Sequence, residues 1–324
     1  MSRAEWASKA ERGNEFWVKV GFRLLNLLGY HLSAFLLIFV IGYFFLTGRQ
    51  SRRASLAYLR RVFRCRDERT GAERRFEVSP RRLSWWHAYR HHMAFGLNVL
   101  DRMYFWQGRI DRFEFTWHGS EHLRERDEDR GMLLVGAHFG SFDAARALSL
   151  KKSVRINVVM YRAHAQKLNT ILNAVGPQAN LNVIELDSAD IDKVFELKNL
   201  IEAGEIVAIL ADRLPPFGKA RYCWIPFLGK EAAFPQNTWV LASLLECPVY
   251  FTAGIRTGWR RYHVFVEPLS DRVRLPRRER ALRMQEIIGS YAARLEALCL
   301  RHPYQWFNFF PFWDDPDQTE QQRA

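Results

Sequence analysis

His138 and Asp143 stand five positions apart in Gly131–Leu148, GMLLVGAHFGSFDAARAL. A histidine beside a carboxylate is a minimal general base: the carboxylate holds one ring nitrogen and leaves the other to take a proton. On one continuous helix, positions i and i+5 lie about 140° apart and face away from each other. A turn between them removes that objection, and Gly140 supplies one. Met132–Val135 is a short apolar run that reads as a buried strand of a parallel sheet. Gly140 and Ser141 read as turn and helix N-cap, and Phe142–Leu148 as the first turns of a helix. His138 then falls where a strand ends, the edge at which open α/β sheets hold ligands, and Asp143 can fold back onto it. No triad nucleophile stands nearby, so such a base would act on a hydroxyl or amine of a bound substrate.

The elements that position this pair follow from the hydrophobic pattern. Short apolar strands read at Val154–Tyr161, Val183–Leu186 and Ile206–Leu210 alternate with helices at Lys167–Val175 and Ile191–Glu202. Phe113–Gly119, Tyr222–Leu228, Val249–Ala253 and Tyr262–Val266 read as further strands. Ser55–Val62, Leu83–Trp106, Thr238–Leu245 and a segment reaching Leu300 read as helices. The alternation is that of an α/β fold, a mostly parallel central sheet flanked by helices. Polar residues recur just after three strands: His138, Arg162, then Asp212 and Arg213. They lie on one edge of one sheet and could converge there.

Leu24 to Gly48 contains no charged residue. The segment is long enough to cross a bilayer with some tilt. Asn26, His31 and Ser33 weaken its first half, which leaves a helix lying in the interface open. Arg49, Arg52, Arg53, Arg60 and Arg61 follow it, and the positive-inside bias puts the bulk of the chain in the cytoplasm. Residues 1–48 thus form an N-terminal segment with an anchor helix, 49–313 the main domain, and 314–324 a polar tail.

The 324 residues carry a formal charge of +13, which favours an anionic partner: phospholipid head groups, nucleic acid or an acidic carrier protein. No RNP, zinc-finger or glycine-rich phosphate motif supports nucleic-acid binding. No G-x-S-x-G elbow supports an α/β-hydrolase. Cys65, Cys223, Cys247 and Cys299 lack metal-site spacing and read as reduced thiols. His87 and His91 have a metal-compatible i, i+4 spacing, but Ala88 stands where a helical zinc motif carries Glu. Neither a metal nor a cofactor is expected. The 24 Phe and 11 Trp suit work at a membrane interface.

Several blocks in order carry a family resemblance: the anchor with its basic flank, GAHFGSFD, VVMYRAH followed by Asn169, ILADR, IPFLGKEAAFP, and HPYQWFNFFPFW. Together they resemble the bacterial lipid A late acyltransferases, the lauroyl/myristoyl transferases of the lysophospholipid acyltransferase-like group. The resemblance implies transfer of a fatty acyl group from acyl carrier protein, or acyl-CoA, to a hydroxyl on a lipid acceptor at the cytoplasmic face of the bacterial inner membrane. It implies His138 as base and Asp143 as its orienting carboxylate, with Arg162, Asp212, Arg213, Gly140, Ser141 and Asn169 binding or organising substrate. A thioester is an activated donor and needs no enzyme nucleophile. Backbone amides around Gly140 would serve its tetrahedral oxyanion. Arg274, Arg277, Arg278 and Arg280 could dock an acidic carrier, face lipid or simply be solvated. Asp143 stands where lipid A enzymes of this group usually carry Glu, so other acceptors remain open: ornithine lipids, aryl-polyene lipids or lysophospholipids. The alternative outside enzymes is a membrane-tethered protein binding anionic lipid or nucleic acid.

Overall fold

A computed structural model describes residues 15–70, 83–119, 121–124, 131–144, 155–161, 182–186, 191–215 and 221–314. The strands are β1 (Glu114–His118), β2 (Met132–Gly136), β3 (Ile156–Tyr161), β4 (Asn182–Leu186), β5 (Ile206–Leu210), β6 (Tyr222–Phe227), β7 (Lys230–Pro235), β8 (Val249–Gly258) and β9 (Arg261–Ser270). Seven of them form one sheet in the order β1-β9-β8-β2-β5-β3-β4. From β8 to β4 all neighbours are parallel; β9 runs antiparallel to β8 and carries β1 parallel to itself. The sheet is therefore mostly parallel, as the alternating pattern implies.

β2 sits between two parallel neighbours, and all five of its residues are buried. Successive side chains leave a strand on opposite faces. Leu133 and Val135 enter the larger hydrophobic cluster with Tyr291 and Trp306, while Met132 and Leu134 enter a smaller one with Ile156 and Val158. This two-sided burial explains why β2 reads as a continuous apolar run.

The principal helices are α1 (Glu15–Thr47), α2 (Arg49–Thr70), α3 (Trp85–Trp106), α4 (Ile191–Glu202), α5 (Asn237–Leu245) and α6 (Arg280–Arg301). α2 runs well past the Ser55–Val62 read from the sequence. Its arginines are good helix formers that carry no apolar signal, while Tyr58, Leu59, Val62 and Phe63 supply its buried stripe. The Tyr222–Leu228 strand turns at Leu228 and Gly229, both at positive φ (50° and 74°), and pairs with β7. That return strand is absent from the sequence reading, because its Lys-Glu start masks the alternation. The expected helix at Lys167–Val175 lies outside the described residues.

Within α1, Leu25–Thr47 is a helix long and apolar enough to cross a membrane, with mean hydropathy 1.9. It is not a free stalk. Its Ile41 and Leu37 lie against Gly96 of α3, where a Cβ would meet Ile41 at 2.8 Å. Tyr89 donates its hydroxyl to the Ile38 carbonyl at 3.0 Å. Gly29, at φ 69°, breaks the helix and sets Tyr30 inward. There Tyr30 donates to Asp101 Oδ1 at 2.6 Å, while Asp101 Oδ2 takes Arg256 Nε at 2.9 Å and the Tyr262 hydroxyl at 2.6 Å. The opposite side of α1 leaves Leu27, Phe35, Phe39 and Leu46 exposed.

Candidate active site

β2 and β5 pair with Gly136 opposite Leu210. Past the strand ends the two chains stay level: Ala211 donates its amide to the Gly136 carbonyl at 3.0 Å. His138 and Asp212 thus come face to face. Imidazole Nδ1 lies 2.8 Å from Asp212 Oδ1, and the His138 amide donates to Asp212 Oδ2 at 3.1 Å. Oδ2 also accepts the Trp306 indole N–H at 3.0 Å. Asp212 is fully buried, whereas a third of the His138 side chain is exposed. With Nδ1 held, Nε2 is the remaining ring nitrogen, and no described residue hydrogen-bonds it.

The electrostatics suit a base. Burial pushes the imidazole below its usual pKa, and the Arg213 charge pushes the same way against the attraction of Asp212. The ring is therefore neutral at neutral pH, with a lone pair available. Burial alone would raise the Asp212 pKa. The His138 imidazole, the hydrogen bond to it, Arg213 and the Trp306 indole overcome that and hold the carboxyl well below the usual range.

Asp143 is elsewhere engaged, which corrects the expected pairing with His138. Its Oδ1 accepts the Trp106 indole N–H at 3.0 Å and its Oδ2 pairs with Arg102 Nε at 2.7 Å. Both partners belong to the end of α3. The turn between His138 and Asp143 forms as expected, with Ser141 Oγ capping the Ala144 amide at 3.1 Å. Ser141 is buried by this arrangement. Gly140 sits at φ 58°, and a Cβ there would lie 2.0 Å from the Gly254 carbonyl oxygen, so only glycine fits.

Two amides of this turn are committed. Gly140 donates to the Gln305 carbonyl and Ser141 to the Gly254 carbonyl, both at 2.7 Å. These two are spent within the protein, so an oxyanion role for backbone amides around Gly140 would not fall to them. The Gln305 contact belongs to a C-terminal brace. Phe307 donates to the His138 carbonyl at 2.8 Å, and Arg213 Nη2 donates to the Phe307 carbonyl at 2.8 Å. The aromatic run near the C-terminus is thus built into the site. Sequence alone does not assign Trp306, because nothing in an aromatic-rich segment says which indole meets a carboxylate 94 residues away. Arg102 and Trp106 are hidden in a helix that reads as packing.

Of the other expected site residues, Arg162 and Asn169 lie outside the described residues. Arg213 stacks over Phe310 at 5.3 Å. His87 caps its own helix through Ser84, while His91 is buried between Ser55 Oγ and the Trp306 carbonyl, both at 2.9 Å. The basic stretch at Arg274–Arg280 follows β9. Because β9 runs opposite to β2, with Ser270 beside Val249 and Val249 beside Leu133, that stretch lies at the sheet edge away from His138.

The end of β2 thus carries an imidazole held by a buried carboxylate, and among the described residues no serine or cysteine hydrogen-bonds that imidazole. The family described as bacterial lipid A biosynthesis acyltransferase matches residues 90–314, and the chain belongs to that family. It is an acyltransferase. The match takes in His138, Asp143, Asp212, Arg213 and Trp306 and begins within α3, after α1 and α2. No curated protein matches the chain.

Proposed function

We propose that the chain transfers a fatty acyl group from an acyl carrier protein thioester to a hydroxyl of a lipid A-type acceptor, with His138 as general base and Asp212 as the carboxylate that orients it. One observation carries the reading: the 2.8 Å bond between His138 Nδ1 and buried Asp212, on a ring that is still one-third exposed. In this reading Nε2 takes the acceptor's hydroxyl proton as oxygen attacks the thioester carbonyl, and returns it to the departing thiolate. Such a base contributes on the order of 10²–10⁴ in rate. Gly140 and Ser141 act by shaping the turn rather than by donating to substrate. Arg213 tunes the base. Arg162 and Asn169 are retained as substrate-binding residues on the strength of the family resemblance.

The apolar, largely exposed Leu25–Thr47 helix supports an inner-membrane anchor, and the arginines after it support a cytoplasmic catalytic domain. Residues 1–48 would then be the anchoring segment and 49–313 the acyltransferase domain. The experiment is lipid mass spectrometry of a strain lacking the gene, complemented with wild type or His138→Ala. The wild type restores one acylated lipid, whose mass names the acyl group and the acceptor, and His138→Ala restores none while reaching the membrane. Restoration by His138→Ala would remove the base from the mechanism.

A further inference from the structure

Committing the Gly140 and Ser141 amides removes two donors that acyl transfer would otherwise call on. Attack on a thioester puts a full negative charge on the carbonyl oxygen, and stabilising that charge is commonly the largest catalytic contribution. The amides of His138, Gly140 and Ser141 all donate within the protein.

Arg102 is placed to meet the need. It comes from the last turns of α3 and is tied down at Nε by Asp143, 2.7 Å away. Asp143 is itself fixed by Trp106 and by its place in the turn after His138. Asp143 engages Nε, the guanidinium carbon lies 5.7 Å from the Trp106 ring centroid, and no described residue hydrogen-bonds either Nη group. The side chain is 42% exposed, so a substrate can reach it. Val99 and Phe95 lie one and two turns back on the same helical face and are also exposed, so that face leads to the guanidinium over apolar side chains.

Resting on the acyl-transfer reading above, we propose that Arg102 is a catalytic residue whose Nη groups neutralise the oxyanion of the tetrahedral intermediate, and that Asp143 and Trp106 are its positioning residues. The acceptor oxygen bonds to the thioester carbonyl carbon while its proton passes to His138 Nε2. The carbonyl electron pair moves onto oxygen against Arg102. When the pair returns, the C–S bond breaks and the thiolate takes the proton from Nε2, leaving an ester and a free thiol. The motif carboxylate five residues after the base then serves the oxyanion through Arg102, and the imidazole is served by Asp212. The Arg102 charge also reaches His138, where it helps keep the ring neutral.

The test uses the full chain in detergent, dodecanoyl carrier-protein thioester as donor, and a lipid extract of the deletion strain as acceptor, with release of carrier thiol as the rate. Wild type that releases no thiol above the His138→Ala background overturns the acyl-transfer reading itself. With wild type active, Arg102→Gln should lower kcat on the order of 10²–10³ and change the donor KM by less than about threefold. Arg102→Lys should recover part of the loss, and added guanidinium ion should partly rescue Arg102→Ala. The acid limb of the kcat/KM profile should move to higher pH in Arg102→Gln, because a charge opposing imidazole protonation is gone. Arg102→Gln turnover within about threefold of wild type overturns the proposal. So does a rise in KM with kcat intact, which would make Arg102 a ground-state anion binder. A loss of kcat with no movement of the acid limb and no guanidinium rescue overturns it too, as a merely structural effect.

Discussion

His138 and Asp212 meet because the strands that precede them pair in register, Gly136 opposite Leu210, and each residue lies two positions beyond its strand end. The contact needs no long loop. A base made this way is as rigid as the sheet centre. Replacing Asp212 by Asn keeps the shape but removes the charge that favours the imidazolium formed during transfer. Turnover should fall on the order of 10²–10⁴. Trp306→Phe removes one of the donors to Asp212 and should cost less, on the order of tenfold, the worth of one charged hydrogen bond. Steady-state rates of the two variants check the ranking; an Asp212→Asn enzyme near wild type would detach the carboxylate from the base.

The neutral state of His138 sets the pH profile. Its pKa lies below the usual 6.5, so kcat/KM should be flat through neutrality and fall only on the acid side of that value. Arg213→Gln removes a charge that opposes protonation, and the acid limb should then move up. A limb that stays fixed in that variant would show that Arg213 does not act on the base.

His91 makes a separate prediction about stability. Buried without a carboxylate, it is pushed down to about 3 from 6.5. Between those values the unfolded chain takes up a proton that the folded chain refuses. The folded state is therefore at full strength above about pH 6.5 and weakens as pH falls toward 3, by roughly 4–5 kcal/mol at most. Thermal melts of wild type and His91→Gln across that window should diverge in slope, the variant being flatter. Parallel slopes would place the acid sensitivity elsewhere.

Asp101 and Arg256 form a pair that is hidden beneath α1, with side chains 0% and 14% exposed. Asp101→Ala leaves the guanidinium buried and unpaired and strips two tyrosine hydroxyls of their acceptor. A loss of about 3–5 kcal/mol is expected from denaturant melts. Limited proteolysis near Gly29 should quicken in the same variant, since Tyr30 loses its hold on the domain.

The parts of this molecule that are legible in the sequence are those written in local pattern. The apolar runs of β2 and β5, the turn at Gly140, the cap at Ser141 and the uncharged stretch from Leu24 each follow from nearest neighbours. His138 and Asp212 both read as polar strand ends. Their pairing does not, because register between β2 and β5 is a property of two segments, and the two residues stand 74 positions apart. Asp143 is close to His138 in sequence, and proximity alone favours that pairing. In space the competitor wins, since α3 brings an arginine and an indole to the same carboxylate. The brace from Gln305 to Phe307 is invisible for a similar reason: its bonds are backbone to backbone, and no residue type announces them.

One helix, α3, holds both the Gly96 seat of α1 and Arg102, which pairs with Asp143 in the turn after His138. The two are six residues apart, about 9 Å along the axis. With α1 in a bilayer, the enzyme cannot swivel on its tether. Lateral diffusion then becomes a search in two dimensions with the facing already set. In that setting each encounter with a lipid would present the same sheet edge at the same height, and the distance of a reactive group from the hydrocarbon would become the first criterion of selection.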